Sequence, residues 1–227
     1  MKTPPTGKGL TTQTTSPKPK KQYSKALEEF HLAQQFTRST HLPDLEWIKC
    51  RDLSTLEFDE FMQEYCYVVV ASGFRARVAS RLAPELAACH GDIEKMRAIF
   101  KNERKISSIS KMYHMFHDKP DAWTVQKSTW LSSDVSALEA LPFIGKITKF
   151  HLARNIGLSL HDASAVKPDL HLVRWCTKHG YGVKELVMNI SADVCIPPGI
   201  VDFILWVWLS HEGKVKEGCC HGGMRLR

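Results

Sequence analysis

With 227 residues, the chain is long enough for one large domain or for two small lobes that share a groove. Its composition, 43% hydrophobic and 24% charged, is that of a globular protein able to bury a core, and no apolar run reaches the ~18 residues that would span a bilayer. The formal net charge of +7 is compatible with a polyanionic partner but does not identify one.

The cysteines indicate a reducing compartment. There are seven, an odd number at irregular spacings, and the N-terminal segment Met-Lys-Thr-Pro-Pro has no apolar signal region. We therefore expect reduced thiols and a cytoplasmic location. The host cytoplasm of a phage-infected bacterium is one such location.

Composition divides the chain into three segments. Residues 1–22 are rich in Thr, Pro and Lys, which predicts a disordered basic tail. Residues 23–212 form the folded domain. Residues 213–227 are Gly-rich and basic, which predicts a flexible C-terminal tail; its Cys219, Cys220 and His221 do not supply the four ligands of a zinc site, so no metal is expected there.

Helical periodicity dominates the folded domain, and no stretch shows sustained strand alternation. The predicted helices, in chain order, cover residues 24–43, 55–72, 74–89, 92–101, 107–116, 147–156, 170–177, 183–189 and 198–210, with a break at Pro120 and with residues 135–140 leading into a hairpin. The sequence thus predicts an all-α domain of eight to ten helices.

A hairpin motif is the most informative feature. In Leu-Pro-Phe-Ile-Gly-Lys-Ile-Thr, residues 141–148, the turn Phe143-Ile144-Gly145 uses the conformational freedom of glycine, and Thr148 lies in the first turn of the next helix. Backbone N–H groups at that helix start favour an anion such as a DNA phosphate. The alternative is a buried helical corner without a ligand.

A second motif follows 24 residues beyond Gly145. Pro168 ends an extended segment, and Asp169 stands at the predicted N-cap of the next helix. Such an aspartate on its own is usually only a cap.

Together, residues 138–175 resemble the hairpin and catalytic-aspartate segment of the helix-hairpin-helix DNA glycosylases. The resemblance implies a two-lobed all-α fold, a monomer, and a double-stranded DNA partner with a pyrimidine nucleotide flipped out of the duplex. It also implies that Asp169 is the essential carboxylate, and that no cofactor is needed beyond a monovalent cation held by carbonyls of the hairpin turn.

The chain departs from that pattern in two places. Ile147 stands where bifunctional members carry a Schiff-base lysine, so lyase chemistry by that route is not expected. The usual Gln-rich turn after the first core helix is replaced by residues 65–75, of which Tyr65 and Arg75 are the candidates to face the cleft.

The polar hairpin helix is closer to a phage branch, the α-glutamyl/putrescinyl-thymine pyrophosphorylases and the related amino acid:DNA transferases.

The phage branch implies an enzyme of thymine hypermodification, in which an amino acid or amine co-substrate replaces the (pyro)phosphate on activated 5-hydroxymethyluracil in DNA. A monofunctional DNA glycosylase is the alternative, and a DNA-binding module without chemistry is the third possibility. The candidate catalytic residues are Asp169, Lys167 and His171. The candidate DNA-binding residues are Phe143, Ile144, Gly145, Lys146, Thr148, Lys149, His151, Arg174 and Arg75.

Overall fold

The computed structural model describes residues 20–117, 119–158, 160–162, 164 and 166–216, with side chains as far as His211. The described chain contains helices and no strand, which confirms the all-α prediction. The elements are α1 (Lys20–Thr40), α2 (Leu42–Lys49), α3 (Phe58–Ala71), α4 (Ala76–Ala87), α5 (Ile93–Ile99), α6 (Glu103–Phe116), α7 (Pro120–Leu131), a 3₁₀ helix (Val135–Ala140), α8 (Thr148–Asn155), α9 (Leu170–Lys178), α10 (Val183–Val194) and α11 (Pro198–Lys216).

Two of these helices were not predicted, because two prolines were taken for helix ends. Pro43 and Pro120 instead lie in the first turns of α2 and α7. Proline is well suited to that position, since its fixed φ is helical and its missing N–H has no intrahelical partner there.

Both predicted tails extend partly into helices. α1 begins at Lys20, inside the stretch predicted as a basic tail, and α11 continues to Lys216, inside the predicted C-terminal tail. The remainder of both predictions, residues 1–19 and 217–227, lies outside the described residues.

The buried side chains form two hydrophobic clusters. The first is built by the middle of the chain, from Leu53 to Leu158, around residues such as Phe61 and Trp130. The second joins both ends of the chain: α1 and α2 pack with α9, α10 and α11 around Phe30 and Phe203. Each fully buried large apolar side chain contributes about 1.5–3 kcal/mol relative to an exposed one.

Gly157 lets the first cluster close at the end of α8. Its φ is +77°, and a Cβ built on it would lie 2.5 Å from the carbonyl oxygen of Arg51. The chain leaving α8 therefore passes directly against the loop before α3, and only glycine fits that approach.

None of the described helices is by itself long and apolar enough to cross a bilayer. α10 and α11 meet the test of length and composition only as a pair, and their axes are bent by 108°.

Candidate functional site

A tight turn joins the 3₁₀ helix to α8. The Ile144 N–H donates to the Leu141 carbonyl at 3.1 Å, and the Lys149 N–H donates to the Gly145 carbonyl at 3.1 Å, which begins the helical hydrogen bonding. The N–H groups of residues 146–148 come before that first helical bond, as at any helix start. Thr148 Oγ1 accepts from the Gly145 N–H at 2.8 Å and fixes the turn.

Glycine does not have the backbone role expected in this turn. Phe143 takes the left-handed conformation, with φ +65°, whereas Gly145 is not among the residues with positive φ. No atom lies within 4 Å of a Cβ built on Gly145, which is exposed. The missing side chain therefore leaves open space outside the turn, which a ligand backbone can approach closely.

The side chains of the turn differ in their surroundings. Ile144 is 5% exposed and belongs to the first hydrophobic cluster, so only its backbone belongs to the surface motif. The Phe143 ring is half-buried, with Lys105 Nζ 5.5 Å and Arg104 Cζ 5.4 Å from its centroid. These contacts hold the residue whose left-handed backbone makes the turn.

The predicted hairpin cations are not equivalent. Lys146 is exposed, whereas Lys149 is half-buried and its Nζ forms an ion pair with Glu139 at 2.5 Å. That ion pair partly neutralises the charge of Lys149. Its role as a DNA-binding residue stays a prediction. Lys146 remains the cation of the turn.

The turn fits a monovalent cation poorly. The carbonyls of Leu141, Pro142 and Gly145 already accept hydrogen bonds, from Ile144, Tyr65 and Lys149 respectively. Two positive side chains also lie over the Phe143 ring. We therefore assign no step to a cation there.

Two upstream candidates also separate. Tyr65 is fully buried and its hydroxyl donates to the Pro142 carbonyl, so it supports the turn from beneath and does not face a cleft. Arg75 is exposed at the N-cap of α4, next to the equally exposed Phe74. Arg75 remains accessible to a ligand.

Asp169 caps α9, as predicted. Its Oδ1 accepts from the Leu172 N–H at 2.9 Å, and the residue is half-buried. His171 and Arg174, one turn apart on the same helix, are both exposed. No hydrogen bond or ion pair joins either of these side chains to Asp169 in the part of the chain that the structure describes.

Buried charges surround Asp169 from other elements. Arg154 on α8 is 7% exposed and Asp202 on α11 is 3% exposed, and both interact electrostatically with Asp169 and with half-buried Lys167. Burial lowers the pKa of Lys167, which the neighbouring Arg154 lowers further. Burial raises the pKa of Asp202 to about 7, although Arg154 opposes that shift.

Hydrogen bonding within this cluster is incomplete. Asp202 accepts from the Lys167 backbone N–H, but its Oδ1 has no partner among the described residues. The Nε of Arg154 also lacks one, while the guanidinium lies 5.4 Å from the ring centroids of Phe203 and Trp206. An unpartnered buried polar atom costs about 1–3 kcal/mol, which a hydrogen bond to a bound molecule or to water would offset.

A cavity of about 160 Å³ lies between the two hydrophobic clusters. Its aromatic lining consists of Trp47 and Trp206 from the second cluster's side and Tyr67 from α3, with Arg154 and His151 contributed by α8. Arg154 therefore belongs both to this cavity and to the charged cluster around Asp169.

His151 has a different state from the one predicted. It is partly buried, its ring lies edge-on to Tyr67 at 5.4 Å, and burial and Arg154 hold its pKa well below the usual 6.5. The imidazole is consequently neutral near pH 7. His151 lines the cavity as a neutral polar group in the unbound protein, and its contact with DNA stays a prediction.

A buried ion network forms another part of the cavity wall. Glu64 is 2% exposed and accepts from Arg51 Nη2 at 2.9 Å and from Asn155 Nδ2 at 3.1 Å. Arg51 in turn lies over the Trp47 ring, 4.4 Å from its centroid. The network ties α3, α8 and the loop after α2 together around the cavity.

The sequence gave no site role to Glu64, Asp202 or Asn155, and it indicated Arg154 only as one of the cations around the phosphate site at the start of the hairpin helix. A signal was present for Asp202, which interrupts the otherwise apolar segment from Ile200 to Leu209. Such a charge is seldom fully buried unless it has a partner.

Comparison with family models, with curated proteins and with solved structures found no match for this chain.

Proposed function

We propose that this protein is a DNA base-modifying enzyme with a two-lobed helix-hairpin-helix, glycosylase-like fold. The reaction we favour is transfer: an amine or amino acid replaces the (pyro)phosphate on activated 5-hydroxymethyluracil in double-stranded DNA. The observation that carries the proposal is Arg154, whose buried guanidinium interacts with Asp169 and also lines the cavity between the two hydrophobic clusters. Arg154 thereby connects Asp169, the candidate general base, to the cavity that is the candidate substrate pocket.

The hairpin supplies the DNA contact in this proposal. A phosphate fits the start of α8, where the N–H groups of residues 146–148 precede the first helical bond and Gly145 leaves open space. Exposed Lys146 adds a charge at the same place. Arg75, His171 and Arg174, which are exposed, would contact flanking phosphates without reading sequence in this proposal.

The proposed chemistry uses the charged cluster around Asp169. The amine nitrogen attacks the exocyclic methylene carbon of the flipped base, so that a C–N bond forms as the C–O bond to the phosphate breaks. Asp169 accepts the proton that the amine loses, and the phosphate leaves with the electron pair of the broken bond. Lys167 stabilises the charge on the departing oxygen.

The closeness of cations to Asp169 favours transfer, because a leaving phosphate needs them. A glycosylase remains the second candidate for a specific reason: Asp169 accepts from the Leu172 N–H at the start of α9, which orients the carboxylate that such an enzyme uses to stabilise the sugar cation. A binding module without chemistry is the third candidate.

Mass spectrometry of nucleosides separates the three. The protein is incubated with duplexes that contain thymine, 5-hydroxymethyluracil or its phosphorylated form, together with an amino acid mixture. A heavier nucleoside on an intact sugar supports transfer, abasic sites identify a glycosylase, and unchanged DNA that is nevertheless bound identifies the module.

Two variants make the assay specific. Asp169→Asn is expected to abolish product formation. Asp121→Asn, which changes an exposed first-turn aspartate of α7, serves as the matched control and is expected to retain full activity. Equal activity of the two variants would remove Asp169 from the mechanism.

A further inference from the structure

Lys105, on α6, is a buried cation at the end of α3. It is 5% exposed, and its Nζ donates to the Val70 carbonyl at 3.0 Å and to the Ser72 carbonyl at 2.5 Å. The last carbonyls of a helix have no intrahelical partner, so these two bonds satisfy acceptors that the helix leaves free. Lys105 thereby fixes the chain where it leaves α3 and enters the α3–α4 turn, residues 72–75.

The same ammonium group contacts two aromatic rings. Lys105 Nζ lies 4.7 Å from the ring centroid of Phe74 and 5.5 Å from that of Phe143. Phe74 belongs to the α3–α4 turn, whereas Phe143 has the left-handed backbone of the hairpin turn. The two turns are distant in the sequence, and Lys105 contacts both of them.

Backbone dipoles, and not a carboxylate, compensate the charge of Lys105. In the part of the chain that the structure describes it forms no ion pair, and burial lowers the pKa of its ammonium group. The partial negative charge at the end of α3 favours a cation, so capping of that helix is one role of this side chain. Capping of α3 does not require the contact with Phe143. That second contact links the α3–α4 turn to the hairpin turn.

Each of the two turns carries an exposed cation. Arg75 directly follows Phe74, and Lys146 lies at the end of the hairpin turn. A DNA strand presents its phosphates at a regular spacing. Two cations on separate turns therefore bind one strand more tightly when the two turns are held in a single arrangement, because less freedom is lost on binding.

We propose that Lys105 is a positioning residue, which holds the α3–α4 turn and the hairpin turn in one rigid arrangement so that both contact DNA together. The consequence for DNA binding rests on the proposed function. The link between the two turns does not, because it is a property of the protein alone.

Hydrogen exchange of the full chain tests the link without DNA. Lys105→Met keeps the length of the side chain and removes the ammonium group. We expect amide exchange to become faster by about tenfold in residues 72–75 and also in residues 143–146. Lys111→Met changes an exposed lysine on the same helix and is the matched control, so it is expected to leave both turns unchanged.

Exchange in the unaltered chain keeps the test decisive if Lys105→Met does not fold. The N–H groups of Ser72 and Phe74 in one turn, and of Ile144 in the other, all donate to backbone carbonyls, so their exchange reports opening of the turns. Turns that are linked open as one unit. We therefore expect the free energies of opening of both turns to fall in parallel as urea is added.

DNA affinity, measured by fluorescence anisotropy, tests the consequence for binding. Arg75→Ala is expected to weaken binding by about fivefold in the native chain and by less than about twofold in the Lys105→Met background. The reason is that an unanchored turn no longer holds Arg75 against the strand. Lys105→Arg keeps a cation and is expected to restore the larger effect. A general loss of stability would not change the effect of Arg75→Ala in this way.

Two results would overturn the inference. One is independent exchange of the two turns, seen as an effect of Lys105→Met on only one of them or as unequal urea dependence in the unaltered chain. The other is an equal effect of Arg75→Ala with and without Lys105 while the protein binds DNA. The proposed function fails separately: if the native chain does not bind DNA but Lys105→Met loosens both turns, the DNA contact is wrong and the link between the turns stands.

Discussion

Replacing Glu64 by glutamine tests whether the cavity wall is held by the buried ion network. In the native protein each carboxylate oxygen of Glu64 accepts from a different donor, Arg51 Nη2 at 2.9 Å and Asn155 Nδ2 at 3.1 Å. Glutamine has only one oxygen, so its amide group must face one of the two donors. The Arg51 guanidinium then also loses its buried counter-charge.

The expected loss of stability follows from this geometry. Removing one partner of a buried pair costs about 3–5 kcal/mol, and the partial exposure of Arg51 reduces this to about 2–3 kcal/mol. For a chain of this size, such a loss lowers Tm by about 5–10 °C. The measurement is urea unfolding at pH 7, followed by far-UV circular dichroism.

Glu60→Gln is the matched control, because Glu60 is 3.9 Å from the same guanidinium but 55% exposed. We expect it to change the free energy of unfolding by less than about 0.5 kcal/mol. If Glu64→Gln costs less than about 1 kcal/mol, or no more than Glu60→Gln, the network does not hold the wall as described.

Four further predictions address the hairpin and the charged cluster. Asp169→Asn should abolish turnover and leave DNA affinity within a few-fold, measured by fluorescence anisotropy on the same duplex. Lys146→Ala should weaken binding to all sequences alike and flatten the slope of log affinity against log salt by about one unit. Gly145→Ala should weaken DNA binding with little change in Tm, because the added Cβ contacts no atom of the protein. Gly157→Ala should lower Tm, because its Cβ would collide with the protein backbone. Asp202→Asn should flatten the decline of stability with pH between about pH 4 and 7.

The sign of the Asp202 effect can be worked out from its pKa. Burial raises the pKa of Asp202 in the folded state to about 7. Between about pH 4 and 7, the Asp202 carboxyl group is therefore ionised in the unfolded chain and still protonated in the folded chain. The stability of the protonated form is therefore full at low pH and is lost as pH rises through 7. A variant with the same slope as the native chain would contradict the assigned burial of this carboxyl group.

Local signals in the sequence were sufficient for most of the helices and for the Asp169 cap. Apolar periodicity defines most helix positions, and the Pro168-Asp169 step gave the start of α9 correctly. The same reasoning failed at Pro43 and Pro120, because a proline marks a helix start as readily as a helix end and only the following residues distinguish the two.

Long-range packing accounts for what the sequence did not give. The left-handed backbone of Phe143 is held by Lys105 and Arg104, which are about forty residues away in the chain. The charge of Lys149 is compensated by an ion pair with Glu139. Nothing in the motif itself distinguishes Lys149 from Lys146. The motif thus located the turn, but it indicated neither the residue that takes the left-handed conformation nor which lysine is free of an ion pair.

The buried charges are better explained by a ligand than by folding. An apolar group of similar size at a buried ionic position is often neutral or stabilising, so Arg154 and Asp202, each with an unpartnered atom, lower the stability of the empty protein. A molecule that hydrogen-bonds to Arg154 satisfies the missing contact only in the folded state. It therefore adds stability by mass action, about 2.7 kcal/mol at a hundredfold excess over Kd. If the cavity instead serves only to pack the two clusters, no small molecule will raise the Tm of the native chain by more than it raises the Tm of an Arg154→Met variant.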